Sequence, residues 1–183
     1  MSTSLPVIDL TVAKRGGEAR AAVARDLDLA CSEFGFFYLV GHDIAAQLTD
    51  GLFTRAREFF ARDQAEKMRI HMSRGGRAWR GYFPVGGELT SGEPDLKEGL
   101  YFGTELDDDD PRVRAGTPMH GRNLFPDLPE FRANLLAYMS ALEAAGQGIV
   151  ADGRRAAFAQ RLFSAAVHRR SYCALQDLPL STR

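Results

Sequence analysis

A chain of 183 residues with 45% apolar side chains has the size and composition of one globular domain able to bury a core of its own. A formal net charge of −1, with no long basic face ahead of the C-terminal tail, gives no electrostatic case for nucleic acid or a membrane surface. No apolar run approaches bilayer length, Met1 to Pro6 holds no leader-like pattern, and Cys31 and Cys173 form neither a disulfide framework nor a metal-binding spacing, so a cytoplasmic protein is expected.

Pro6-Val7-Ile8-Asp9-Leu10 reads as a strand entering a turn. From Gly17 to Glu33, Ala21, Val23, Ala24, Leu27, Ala30 and Cys31 recur mostly at three- and four-residue steps, which predicts a helix with one buried face. Phe34 to His42 is aromatic and β-branched, a second strand apolar enough to be covered on both faces inside a sheet. An amphipathic helix follows from Ala45 to Phe60, with Leu48, Leu52, Phe53, Ala56, Phe59 and Phe60 inward; Asp63 is placed to cap a third, Gln64 to Met68.

Ser73 to Arg77 reads as a loop. Trp79 to Val85 and Leu100 to Thr104 read as extended segments, joined by a Gly-, Glu- and Pro-rich connection, Gly86 to Glu98. Asp107 to Asp110 is an acidic turn, a solvated loop before it is a cation site. Pro129 starts a long helix carrying Phe131, Leu135, Leu136, Tyr138, Met139 and Leu142 and reaching about Ile149.

Taken in order, Pro6-Val7-Ile8-Asp9-Leu10, Glu33 to His42, Glu58-Phe59-Phe60 and Glu66-Lys67-Met68 resemble the N-terminal region of 2-oxoglutarate- and iron-dependent oxygenases of the isopenicillin N synthase-like kind. The series continues through Arg80-Gly81-Tyr82, Asp95-Leu96-Lys97-Glu98, Tyr101-Phe102-Gly103 and Asn123-Leu124-Phe125-Pro126, over roughly residues 5 to 150. The resemblance implies an α+β fold: the helix and strand layer that precedes a double-stranded β-helix, or jelly roll, whose catalytic half is absent here. It also implies a small-molecule substrate and, for full-length members, Fe(II) held by a His-X-Asp pair and a distant His, with 2-oxoglutarate as co-substrate. Arg80 and Tyr82 are then the candidates to face a substrate, because comparable positions border the active-site mouth; structural pairing within a loop is the competing role. Asp95, Lys97 and Glu98 resemble a family signature that serves folding through local ion pairs.

The four histidines, His42, His71, His120 and His168, can be checked one by one, and none begins a His-X-Asp or His-X-Glu. His42 is expected to be hydrogen-bonded at a strand end. No metal ligand, catalytic residue or bound cofactor is therefore expected in this chain, and neither a phosphate-cradling loop nor a nucleophile elbow is present. Two functions remain: a truncated oxygenase inactive alone, or a non-catalytic binding or scaffold module reusing the same layer. No nucleic-acid or membrane partner is expected.

The character changes after Asp152. Residues 153 to 183 hold six arginines and one acid, Asp177, whereas residues 1 to 152 hold 17 basic and 23 acidic groups. With arginine outnumbering lysine 20 to 3, a GC-rich coding sequence is implied. The expected domain division is an oxygenase N-terminal domain, 1–152, and an aberrant basic tail, 153–183, translated out of frame. With synonymous codons chosen for His168 to Arg183, the next frame reads TDGPTVLFRIFHYPP, which resembles the segment leading into the jelly roll of the family.

Overall fold

The computed structural model describes residues 4–153 and 172–177. The chain divides into two compact units, Met1–Ala45 with Ser140–Arg169, and Ala46–Met139 with Arg170–Arg183. The out-of-frame reading of 153–183 falls, apart from Gly153 and the strand Tyr172–Asp177, outside the described residues, as does His168.

The first unit opens with β1 (Val7–Asp9), which runs straight into a single helical turn, α1 (Leu10–Ala13). Asp9 makes that turn possible. Its Oδ1 accepts the Thr11 N–H at 2.8 Å and the Thr11 hydroxyl at 2.7 Å, satisfying an otherwise orphaned helix donor. These bonds lower the Asp9 carboxyl below its ordinary value. Helix α2 (Gly17–Glu33) has the bounds its periodicity predicts and buries Val23, Ala24, Leu27 and Ala30. With Ile8 and Ala13 they form a small core to which Phe37, Leu39 and Ile149 add.

Strand β2 (Tyr38–Val40) is shorter than the nine-residue strand expected over 34–42 and pairs with β1 alone among described residues, in parallel, Ile8 opposite Leu39. The expectation of burial on both faces is corrected here. Leu39 and Phe37 pack inward, but Phe36, Tyr38 and Val40 on the other face are exposed, Tyr38 at 61%. A continuous apolar run does not itself distinguish a central strand from an edge one.

The second unit is built on α3 (Ala46–Phe60), whose Leu52, Ala56, Phe59 and Phe60 are buried. Phe53, expected inward, is 55% exposed. Helix α4 (Gln64–Lys67) follows Asp63, which adds no side-chain cap. The expected loop at 73–77 lies in tight 3-10 turns over Met72–Ala78, broken at Gly76. Then come β3 (Gly81–Phe83), β4 (Leu89–Thr90), β5 (Glu93–Pro94) and β6 (Glu98–Gly103). β4 and β5 form a hairpin within the Gly-rich connection, turning at Ser91 and Gly92, both with positive φ, as a two-residue hairpin turn requires.

After α5 (Pro111–Arg114), the chain enters α6 (Phe131–Gly153), longer than the expected end near Ile149, with Leu142 exposed rather than inward. β6 pairs antiparallel with β3 on one side and with β7 (Tyr172–Asp177) on the other. Tyr82, Leu100 and Phe102 from β3 and β6 meet Phe59 and Phe60 of α3, and Phe131, Leu135 and Met139 of α6, in the main core. Phe59 packs edge-on to Tyr82 at 5.8 Å, and Phe102 lies 5.9 Å from Phe131. Each fully buried Leu or Phe here contributes about 1.5–3 kcal/mol of apolar transfer.

Candidate functional site

All the polar groups of interest lie in the second unit, at or beside the core. Lys67 is buried, and a buried ammonium must be paired. Its Nζ donates to both Glu98 oxygens, at 2.9 and 2.7 Å, and to the Phe60 carbonyl at 3.2 Å. It also stands 5.6 Å from the centre of the Tyr82 ring. The Tyr82 hydroxyl donates to Glu98 and lies 3.1 Å from Gln64 Oε1. Burial first, then the Glu98 carboxylate, pushes the Tyr82 phenol well above its ordinary range, so it stays a donor.

Arg80 is also enclosed, at 2% exposure. Its guanidinium donates to the carbonyls of Thr104, Gly121 and Met119 and to Asn123 Oδ1. Asn123 in turn closes onto β6, accepting the Gly103 N–H at 2.9 Å and donating Nδ2–H to the Gly103 carbonyl at 2.8 Å. Glu105 Oε2 accepts from the Asn123 backbone and side chain. The glycines of this region are required by space. A Cβ on Gly103 would meet the Arg80 guanidinium at 2.8 Å, and one on Gly81, at φ +113°, would meet the Ile70 carbonyl oxygen at 2.4 Å.

Two residues beside the Arg80 clamp have left-handed backbone. Trp79, immediately before it, has φ 50° and ψ 58°, and Met119, whose carbonyl Arg80 binds, has φ 67°. A bulky residue in that region costs about 1–3 kcal/mol and persists only where its surroundings hold it. The Met119 N–H bonds the Arg77 carbonyl at 2.8 Å, and Arg77 reaches the Gly116 carbonyl at 3.0 Å. The result is a cavity of about 320 Å³ lined by Trp79, Glu88, Tyr101 and Met119. Trp79 is 56% exposed at its rim.

Glu88 accepts the Tyr101 hydroxyl at 2.7 and 2.8 Å on its two oxygens, and Lys97 Nζ stands 3.5 Å from it and 3.1 Å from Asp95. Burial and then the Glu88 bond push the Tyr101 phenol up to about 12. The Lys97 bond to Asp95 raises the lysine, and Asp95 is lowered chiefly by Thr90 and Lys97. The first unit has its own open cavity of about 470 Å³, between α1, the Gly41–Asp43 turn and the alanine face of α6, with the Lys14–Asp43 ion pair at its rim.

Arg80 and Tyr82 are thus hydrogen-bonded to the Thr104, Gly121 and Met119 carbonyls and Asn123, and to Gln64 and Glu98, respectively. Sequence reasoning missed Trp79, Glu88 and Met119. Trp79 had one signal, being the single tryptophan of the chain and the neighbour of Arg80; Glu88 and Met119 had none. The acidic turn is locally paired, Asp107 and Asp108 with Arg122, and Asp110 with Arg112. Asp110 also accepts the Arg112 N–H at the start of α5, and the Arg112 bonds hold its carboxyl down at about 2.

The donor set for a non-haem iron does not fit. Such a site needs two imidazoles and a carboxylate converging with open positions. His42 Nδ1 accepts the Ile44 N–H at 3.1 Å, His71 Nδ1 accepts the Ser73 N–H at 3.2 Å, and His120 Nδ1 donates to the Pro118 carbonyl at 2.9 Å. Each is a local turn contact, and among the described residues no three His, Cys, Asp or Glu side chains converge. No described helix is long and apolar enough to cross a membrane.

A 2OG-Fe(II) oxygenase family protein from Caulobacter crescentus shares the fold at a TM-score of 0.68 and 21% identity, covering 84% of this chain and 48% of that one. The family described as non-haem dioxygenase in morphine synthesis N-terminal matches residues 5–128. A protein of Dictyostelium discoideum named probable iron/ascorbate oxidoreductase is 43% identical over 157 residues, 80% of this chain and 43% of that protein. A 2-oxoglutarate-dependent dioxygenase of Monascus ruber is 34% identical over 147 residues, 75% of this chain and 44% of that one. The chain belongs to the Fe(II)- and 2-oxoglutarate-dependent oxygenase family, and the matched residues are its N-terminal region. It spans less than half the length of these curated relatives.

Proposed function

We propose that this chain is the N-terminal portion of an oxygenase that oxidises a small organic molecule with O2, Fe(II) and 2-oxoglutarate, and that by itself it oxidises nothing. The observation that carries this is the donor set: none of the four histidines begins a His-X-Asp or His-X-Glu. The three described ones spend their Nδ1 atoms on contacts two residues away. Fe(II) and 2-oxoglutarate belong to the full-length relatives in this reading. Arg80 and Tyr82 serve the substrate side indirectly, Arg80 by binding the Met119 carbonyl at a cavity mouth and Tyr82 by anchoring β3 to Glu98. The experiment is an anaerobic Fe(II) titration of the purified chain together with a succinate assay. No saturable iron binding and no succinate are expected; stoichiometric iron binding that vanishes on replacing one histidine sinks the proposal.

The second reading, a stand-alone binding module, is favoured by one observation, the cavity of about 320 Å³ walled by Trp79, Glu88, Tyr101 and Met119. The coding sequence of the locus separates the two. Under the first reading, residues after Asp152 are out of frame and the other frame continues into a His-X-Asp and a distant His. Under the second, it does not.

A further inference from the structure

Of the five non-glycine residues with positive φ among the described ones, two, Trp79 and Met119, line the same cavity; Arg80 follows the first in the chain and binds the carbonyl of the second. Left-handed backbone at an indole and a thioether, beside a buried guanidinium, directs side chains to a chosen place. The walls so formed are apolar and aromatic: Trp79, Met119 and the Tyr101 ring. The one acid among the lining residues is Glu88, fixed by the Tyr101 hydroxyl on one side and only loosely approached by Lys97 at 3.5 Å. The Lys97 ammonium lies closer to Asp95, at 3.1 Å, so the cluster of Glu88, Asp95 and Lys97 is negative overall.

We propose that this cavity binds a compact apolar molecule bearing a primary amine, its carbon skeleton between Trp79 and Met119 and its ammonium on the Glu88 carboxylate. The volume, about 320 Å³, lies at the small end of ligand pockets, which limits the skeleton to roughly one ring. The negative cluster repels a carboxylate and attracts a cation. The faces of Trp79 and Tyr101 add to that preference through their ring quadrupoles. A neutral alcohol would gain the apolar contacts and one hydrogen bond without the charge. This goes beyond assigning the chain to the N-terminal side of an oxygenase, since it concerns a ligand held by this chain's own residues and is read without iron, 2-oxoglutarate or turnover.

The test uses the full chain, in which Trp79 is the sole tryptophan and hence reports its own site. Phenethylamine, phenylethanol and phenylpropionate are titrated while indole fluorescence is followed. A saturable change is expected with phenethylamine, at least about tenfold weaker with phenylethanol, and none with phenylpropionate. Glu88→Gln should weaken phenethylamine by about tenfold or more while leaving phenylethanol affinity unchanged. Should that variant not fold, the melting temperature of the unaltered chain decides: phenethylamine raises it and phenylpropionate does not. No saturable response to phenethylamine, an equal response to all three probes, or unchanged phenethylamine affinity in Glu88→Gln overturns the proposal.

Discussion

Lys67 and Glu98, 31 residues apart in the chain, meet at 2.7 Å with only 8% and 15% of their side chains exposed. Their pairing brings the end of α4 against the start of β6, and the Tyr82 hydroxyl shares the same carboxylate. Removing one partner leaves the other charge buried and unpaired. Lys67→Met is therefore expected to lower stability by about 3–5 kcal/mol. The double variant Lys67→Met with Glu98→Leu should recover much of the loss, since an apolar pair of similar volume has no charge to desolvate. Urea unfolding of the three proteins measures it, and a double variant no better than Lys67→Met would show that the network matters for more than charge.

Arg80 presents a planar fork to four acceptors, three backbone carbonyls and the Asn123 side chain, on two separate stretches of chain. Lysine keeps the charge but cannot span them. Arg80→Lys is expected to cost about 3 kcal/mol, the value of lost charge-assisted hydrogen bonds. It should also shift the emission of the neighbouring Trp79, which precedes Arg80 and shares a cavity with Met119, whose carbonyl the guanidinium binds. Unchanged stability and unchanged emission together would show that the clamp does not hold the turn.

Stability at high pH should fall in a defined window. The folded Tyr101 phenol, at about 12, lies above its unfolded value of about 10. The folded form thus holds its proton more tightly. The resulting stability is complete below about pH 10 and is lost as pH rises through about 12. Tyr82 shifts in the same direction. At the acid end the sign reverses: Asp110, held at about 2 by Arg112, contributes above about pH 4 and loses that contribution as pH falls toward 2. Melting temperature against pH checks both ends. Tyr101→Phe should flatten the alkaline fall, and Asp110→Asn should flatten part of the acid one.

The exposed face of β2, with Phe36, Tyr38 and Val40, is an apolar strip on a short two-stranded sheet. Strips of this kind promote association. The isolated chain should self-associate as its concentration rises. Tyr38→Lys should reduce that association while changing folding stability by no more than about 0.5 kcal/mol, because the side chain already faces solvent. Sedimentation velocity at increasing concentration would contradict the expectation if the chain stayed monomeric throughout.

Individual elements were readable because each records its own burial. Helix α2 begins and ends at Gly17 and Glu33 as its apolar spacing requires, and β1 followed by the Asp9 cap is written in adjacent residues. The hairpin β4–β5 was hidden in a polar, glycine-rich stretch, since strands of two residues are too short to carry an alternation. The resemblance to the oxygenase family rested on fragments whose purpose was not visible in any one of them.

What the sequence determined alone was therefore the order of the longer helices and of strands β1, β2, β3 and β6, the family, and the absence of a His-X-Asp among four histidines. Only the tertiary structure decided that Lys67, Tyr82 and Glu98, from three of those fragments, join in one buried network, and that Asn123 closes Arg80 onto Gly103. Likewise it placed Trp79, Glu88 and Met119 around one cavity, and left Tyr38 in solvent where an apolar run had suggested a covered strand. The physical reason is range. Periodicity and capping act within a few residues of chain, so they are legible in order, whereas the partner of a buried charge is set by where distant segments cross, which no local pattern encodes.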